Sequence, residues 1–231
     1  MLVILAGQED RCASWLANRW KSSKVALLTS ADLSRRGWRH HVPSSYMGAA
    51  VIDGHKVAVD TIAGVLTRIP CVYEHELGHI MPADRAYVAS EMTAFLFAWL
   101  SGLSCPVLNR PTANCLGGPN WRRERWVRLA TSLGIPALPV QRKVSQISDG
   151  LVEQPSCEVI VVGDRCFGNA APALTSHARA LAKAADVDLL AVQFNSPDAE
   201  GQFVSASLWP HLVCPEVADA VLCHLLGRAA C

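Results

Sequence analysis

What most constrains this chain is the alternation of short, branched apolar runs with segments of helical period. Leu2–Leu5 (LVIL) is apolar at every position, the pattern of a strand buried on both faces of a sheet. Cys12–Trp20 then places Trp15, Leu16 and Trp20 near helical spacing, and Val25–Leu28 is a second strand candidate. Asp32–Val42 is polar and basic. Ala49–Val59 carries Asp53-Gly54 between two β-rich runs, a hairpin signal. Val65 and Leu66 fit a further strand before Arg68. Arg122–Leu133 reads as a helix with a basic face and an apolar stripe (Trp126, Leu129, Leu133), stopped by Gly134 and Pro136.

Gln141–Glu158 has no strong periodicity. Beyond it, Val159–Val162 is a strand ended by Gly163-Asp164, Thr175–Ala185 an Ala-rich helix, Leu189–Phe194 and Phe203–Leu208 strands, and Pro215–Leu226 a closing helix. The alternation predicts two layered α/β subdomains. They are a Rossmann-like, mainly parallel open sheet over residues 1–140 and a smaller α/β part over 159–231, joined by a linker at 141–158.

Composition narrows the function classes. With 51% hydrophobic and 18% charged residues the chain has ample material for a core. A formal net charge of +1 gives no global pull toward nucleic acid or an anionic membrane. Met92–Asn109 carries no charge, but it reads as a buried helix over Tyr87–Leu100 and a short strand over Pro106–Leu108, too short to span a bilayer. The opening MLVILAGQED lacks a basic start and soon turns polar, so it reads as a first strand and not as a signal peptide. The nine cysteines are irregularly spaced and form no CxxC, which points to free thiols in a reducing cytoplasm.

Two features could carry chemistry. The first is His75-Glu76-Leu77-Gly78-His79. On a helix both imidazoles would share a face and could bind one Zn²⁺, with Glu76 activating its water. A third ligand is wanting. Arg85 stands where the extended motif has its last His, Glu91 would serve only if the chain folds back, and Pro70 and Pro82 confine any helix to about three turns. A zinc-dependent hydrolase is therefore the alternative reading, behind a chance match in an exposed polar segment.

The second feature is a set of blocks: GVLTRIP from Gly64, ADRAYVASEMTAFLFAWLSGLSCPVLNRPTAN, WRRERWVRLATSLGIPALP, then VIVVGDRCFGNAAP, LLAVQFNSPDAEG and QFVSASLWP. In order and spacing this resembles the ATP-grasp ligases, nearest to those that cross-link microviridin-type peptides. The positions matching the family's front part are Arg68, Ser90-Glu91, Asn109 and Gly134, with Arg123 where the family has Lys. The resemblance implies a pre-ATP-grasp subdomain followed by the remnant of an ATP-grasp core.

The departures matter as much as the likeness. Residues 141–158 are too few for a lid sheet of several strands. The family's penultimate-strand Asp appears as Gln193, and its final Glu-x-Asn as Ser205-Ala206-Ser207. An amide and two hydroxyls cannot neutralise Mg²⁺ and triphosphate as carboxylates do. The resemblance thus implies a catalytically degenerate, cytoplasmic protein with no cofactor, acting as a binding or accessory subunit for a peptide or an active ATP-grasp ligase. Arg68, Arg85, Glu91, Asn109 and Arg123 are its candidate polar contacts. A structural ion pair between Arg85 and Glu91 is the plainer reading of those two. Loss of the lid would expose apolar surface and favour a homodimer or hetero-complex. Residual nucleotide binding is a third reading.

Overall fold

A computed structural model describes residues 1–41, 48–140 and 155–228. The expected linker falls largely on 141–154, outside the described residues. The chain forms two compact units, one of residues 1–119 and 211–231 and the other of residues 120–210.

The first unit is built on four parallel strands: β1 (Leu2–Leu5), β2 (Val25–Leu28), β5 (Gly64–Thr67) and β6 (Val107–Leu108), in the order β2-β1-β5-β6. All four residues of β1 and of β5 are buried, which is why β1 reads as an unbroken apolar run. β3 (Ala49–Ile52) and β4 (His55–Ala58) form the hairpin that Asp53-Gly54 signals. Asp53 and Gly54 both take positive φ, 49° and 71°, the conformation a two-residue hairpin turn demands. α1 (Arg11–Arg19) follows β1 and α2 (Ser30–Leu33) follows β2. α3 (Arg85–Gly102) accounts for most of the uncharged stretch and buries Ala89, Leu96, Trp99 and Leu100. No helix among the described residues is long and apolar enough to cross a membrane.

The second unit is an antiparallel sheet, β10-β9-β7-β8, from β7 (Cys157–Val162), β8 (Arg165–Phe167), β9 (Leu189–Phe194) and β10 (Phe203–Ser207). α4 (Arg123–Ser132) and α5 (Pro172–Ala184) belong to it. Trp126 of α4, Leu174, Ala178 and Leu181 of α5, and Val159, Val161, Leu190 and Val192 of the sheet share one apolar core.

The compact units divide the chain differently from the linear reading in three places. The split after Pro119 assigns α4 to the second unit, because Trp126 is only 2% exposed in that unit's core. Sheet structure begins at Cys157, inside the expected linker, because Cys157 pairs with Phe194. The closing helix α6 (Pro215–Leu225) belongs to the first unit. Arg19 of α1 holds Asp219 of α6 in a two-bonded ion pair, Nε–Oδ1 2.9 Å and Nη2–Oδ2 2.6 Å. The start of β5 is a glycine that lets α6 approach: a Cβ on Gly64 would stand 2.7 Å from the Leu225 carbonyl oxygen. One further expectation changes. Seven described cysteines are free, but Cys223 is disulfide-bonded.

Gly64→Ala is expected to destabilise the first unit by about 1–3 kcal/mol, since the added methyl's nearest neighbour is the Leu225 backbone carbonyl oxygen, which cannot swing aside. Urea denaturation followed by tryptophan fluorescence would measure it.

Candidate functional site

The basic segment after β2 is organised by one buried carboxylate. Asp32 is 4% exposed. Its Oδ2 accepts from the Thr29 backbone N–H at 3.1 Å and the Thr29 hydroxyl at 3.4 Å, closing a capping box on α2. Its Oδ1 accepts from the Gly54 backbone N–H at 2.8 Å, tying α2 to the β3–β4 turn. Its carbonyl accepts from the Trp38 indole Nε1 at 2.8 Å. Trp38 is thereby held with its ring at right angles to Phe95 (5.1 Å between centroids) and Trp99 (5.6 Å) of α3.

This arrangement leaves an open groove of about 500 Å³ between the segment 33–38 and α3. Leu33, Trp38, Met92 and Phe95 supply its apolar lining, and Arg35, Arg36 and Glu91 its charges. None of these three is in an ion pair among the described residues. Tyr87, 68% exposed, lies one helical turn before Glu91 on the same face of α3. The groove thus offers an apolar floor with both a hydrogen-bond-accepting carboxylate and donating guanidinium groups.

Of the five sequence candidates only Glu91 faces this groove. Arg68 is committed to Asp10, Nε–Oδ2 2.8 Å, with both side chains largely buried; Asp10 in turn caps α1 through the Ala13 N–H. Arg85 makes no ion pair with Glu91 among the described residues. It donates to the carbonyls of Ile80 (3.0 Å) and Gly78 (3.3 Å), bracing the loop before α3. Asn109 is 4% exposed at the end of β6, and Arg123 donates to the Val204 carbonyl at 2.8 Å. Asp32 and Trp38 are the residues that sequence reasoning missed. The Thr29-x-x-Asp32 spacing before the basic run was the available signal.

The His75–His79 segment is not a helix. Glu74–Glu76 is a single 3-10 turn, followed by further turn structure. Leu77 is its one fully buried anchor (0% exposed), too little apolar purchase to stabilise a free-standing helix. His75 stacks on Tyr73 with ring centroids 5.3 Å apart, while the His79 Nε2 lies 2.7 Å from the Ser34 hydroxyl. Among the described residues no group of three or more His, Cys, Asp or Glu side chains could hold a metal ion. Burial pushes up the thiols of Cys12, Cys71, Cys105, Cys115, Cys157 and Cys166 and so does not activate them. Burial first, and then the Glu76 carboxylate, push the Cys71 thiol up, and burial outweighs Arg179 in raising Cys166.

In the second unit the positions singled out as replaced metal ligands are neighbours. Gln193 pairs across the sheet with Glu158 on one side and Ser205 on the other. The Ser205 hydroxyl donates to the Gln193 Oε1 at 2.6 Å, and the Gln193 Nε2 donates to Glu158 at 3.5 Å. The Ser207 hydroxyl accepts from the Trp209 N–H. This row holds one carboxylate, Glu158, which the linear reading left at the edge of the linker. The donor set does not fit a pair of Mg²⁺ ions carrying a nucleotide triphosphate.

No protein-family model matches the sequence, and no curated protein matches it. Solved structures do. The macrocyclase MdnC of Microcystis aeruginosa MRC, bound with precursor peptide MdnA, superposes with a TM-score of 0.71 at 11% identity, over 98% of this chain and 99% of that one. A Chryseobacterium gregarium RiPP-associated ATP-grasp ligase, in complex with ADP and a leader and core peptide, gives 0.66 at 10% identity, over 99% and 97%. A RimK domain ATP-grasp protein of Sphaerobacter thermophilus gives 0.52 at 12%, over 98% and 100%. The chain has the ATP-grasp ligase-like fold.

Asp32→Ala is expected to cost about 2–4 kcal/mol, because it removes the helix cap and strands the Gly54 N–H. Asp32→Asn should cost less, as the amide oxygen can keep one of those bonds. Chemical denaturation of the two variants tests the ranking. Protein prepared without chelators or a His tag should carry well under one zinc per chain by elemental analysis, and His75→Ala should not change it.

Proposed function

We propose that this chain is a catalytically degenerate ATP-grasp-like protein that acts as a binding or accessory subunit in peptide modification. The observation that carries the reading is the Gln193–Ser205 hydrogen bond. It places an amide and a hydroxyl, bonded to each other, where the resemblance calls for metal-binding carboxylates. The brevity of segment 141–158, where the family has a lid, supports the same reading. ATP-dependent ligation by this chain alone is then not its role, and it needs neither nucleotide nor metal.

The partner is a peptide or a peptide-bearing protein, which includes an active ligase of the same fold. The structural neighbours crystallised with precursor peptides support this choice. In this chain the groove beside Glu91 supplies the contact, with Arg35 and Arg36 facing the peptide's carbonyl or carboxylate oxygens and Glu91 its N–H groups. Tyr73, Met81 and Tyr87, exposed by 41%, 70% and 68%, extend apolar surface on the segment that leads into α3. That exposure supports a homodimer or hetero-complex, and seven free cysteines against the one disulfide-bonded Cys223 among the described residues favour a cytoplasmic setting.

Calorimetric titration with Mg-ATP is expected to give no saturable heat. Micromolar binding would overturn the degenerate reading. Peptides selected from a displayed library against the wild-type protein should lose about tenfold or more in affinity for Glu91→Arg, which reverses one charge of the groove. Selected peptides indifferent to that substitution would remove the groove from the proposal.

A further inference from the structure

The groove in the first unit leaves a second charged surface unused, the basic face of α4 in the second unit. Arg122, Arg125 and Arg128 stand exposed there, and no ion pair engages any of them among the described residues. Arg125 and Arg128 lie one turn apart, on the side of the helix away from the buried Trp126 and Ala130. Glu124 is the one carboxylate of α4, half-buried and already engaged. α5 shares the apolar core beneath, carries no carboxylate, and adds the exposed Arg179 and Lys183. Asp186 and Asp188 follow the C-terminal end of α5, and Asp164 sits in the β7–β8 turn. With a formal net charge of +1 on the whole chain, this face is a local segregation of charge and not a general excess.

The placement is costly to the isolated protein. Arg122 is the N-cap of α4, and Arg123 and Arg125 fall in its first turn, the end at which the helix dipole is already positive. Stability alone would favour acidic residues there. Arg123 is spent on the Val204 carbonyl at 2.8 Å, while the other three face solvent.

Arg125 is also held in place. Its guanidinium lies over the Trp121 indole, 4.1 Å from the ring centroid, and Trp121 packs on the buried Trp126 at 4.8 Å between centroids. Part of the side-chain freedom that a mobile arginine loses on binding is therefore lost beforehand.

These features select the partner. Carboxylates match guanidinium groups in charge and in their paired oxygens. Nucleic acid would call for open aromatic platforms, and Arg125 covers the Trp121 ring. Among the described residues of the second unit Leu133, at 42%, is the one large apolar side chain that stands exposed, and no aromatic ring does. The same lack of apolar surface leaves little to enter a lipid bilayer.

We propose that the outer face of α4 docks an acidic segment of a polypeptide partner, whose carboxylates accept from Arg122, Arg125 and Arg128. The proposal rests on the reading of the chain as a polypeptide-binding subunit, and it concerns a surface other than the groove beside Glu91.

The probe is a fluorescein-labelled peptide of alternating Glu and Ala, with the alternating Gln-Ala peptide as its control. Fluorescence anisotropy is expected to show saturable binding of the Glu peptide that weakens with added salt, and binding of the Gln peptide about tenfold or more weakly. Arg125→Glu combined with Arg128→Glu should lower affinity for the Glu peptide about tenfold or more, with circular dichroism showing the fold retained. If that variant does not fold, Arg125→Gln with Arg128→Gln serves instead. Arg125→Lys, which keeps the charge and loses the planar fork, should weaken binding severalfold. Glu91→Arg should leave it unchanged, so failure on this face and failure at the groove are read apart. No saturable binding, equal binding of the Gln peptide, or indifference to the paired substitution would each overturn the proposal. Tighter binding of a single-stranded oligonucleotide than of the Glu peptide would overturn it in favour of nucleic acid.

Discussion

A carboxylate placed out of water must find donors, and the first unit is arranged around the donors that Asp32 finds. Thr29, the Gly54 turn and, through the Asp32 carbonyl, the Trp38 indole all converge on this one residue. A buried charge of this kind costs several kcal/mol unless it is fully hydrogen-bonded, so the segments that satisfy it cannot move independently. Trp38 then passes the constraint to α3 through Phe95 and Trp99. The groove takes Trp38 and Phe95 of that cluster into its lining, and a smaller cavity takes Trp99. Shape in both depends on a residue that lines neither.

The second unit separates what holds a fold from what sets its polar surface. Its strands run in the order β10-β9-β7-β8, and the backbone likeness to the ATP-grasp ligases extends over almost the entire chain. Fold stability rests on apolar residues such as Phe194, Phe203 and Trp126, which are buried whatever the polar row above them carries. Gln193 and Ser205 are hydrogen-bonded to each other in that row. Backbone geometry and site chemistry are separable for that reason, and only the site bears on activity.

Much of the architecture was legible from residue order. β1, β2, the hairpin, α3, α4, β7 and β9 fall within a few residues of where apolar pattern and turn chemistry place them. Their signals are local: an all-apolar strand, an Asp-Gly turn with positive φ, a Pro or Gly stop. The failures were equally physical. The His75–His79 spacing matters only on a helix, and one buried leucine does not sustain one. Arg85 and Glu91 look like a helical pair, but the loop carbonyls of Gly78 and Ile80 compete for the guanidinium. Of the five candidate contacts, only Glu91 was both named from sequence and left facing open space.

Sequence alone determined that the chain is α/β and that its front sheet is parallel and buried. These follow from side-chain chemistry and from periods of two and 3.6, which act between near neighbours. Tertiary structure decided which unit holds α4 and α6, and which arginines are spent on internal carbonyls and carboxylates. Those outcomes rest on contacts between residues far apart in the chain, such as Arg19 with Asp219 and Asp32 with Gly54. No local pattern encodes them, because each side chain chooses its partner only after the sheet and helices have brought the competing groups within reach.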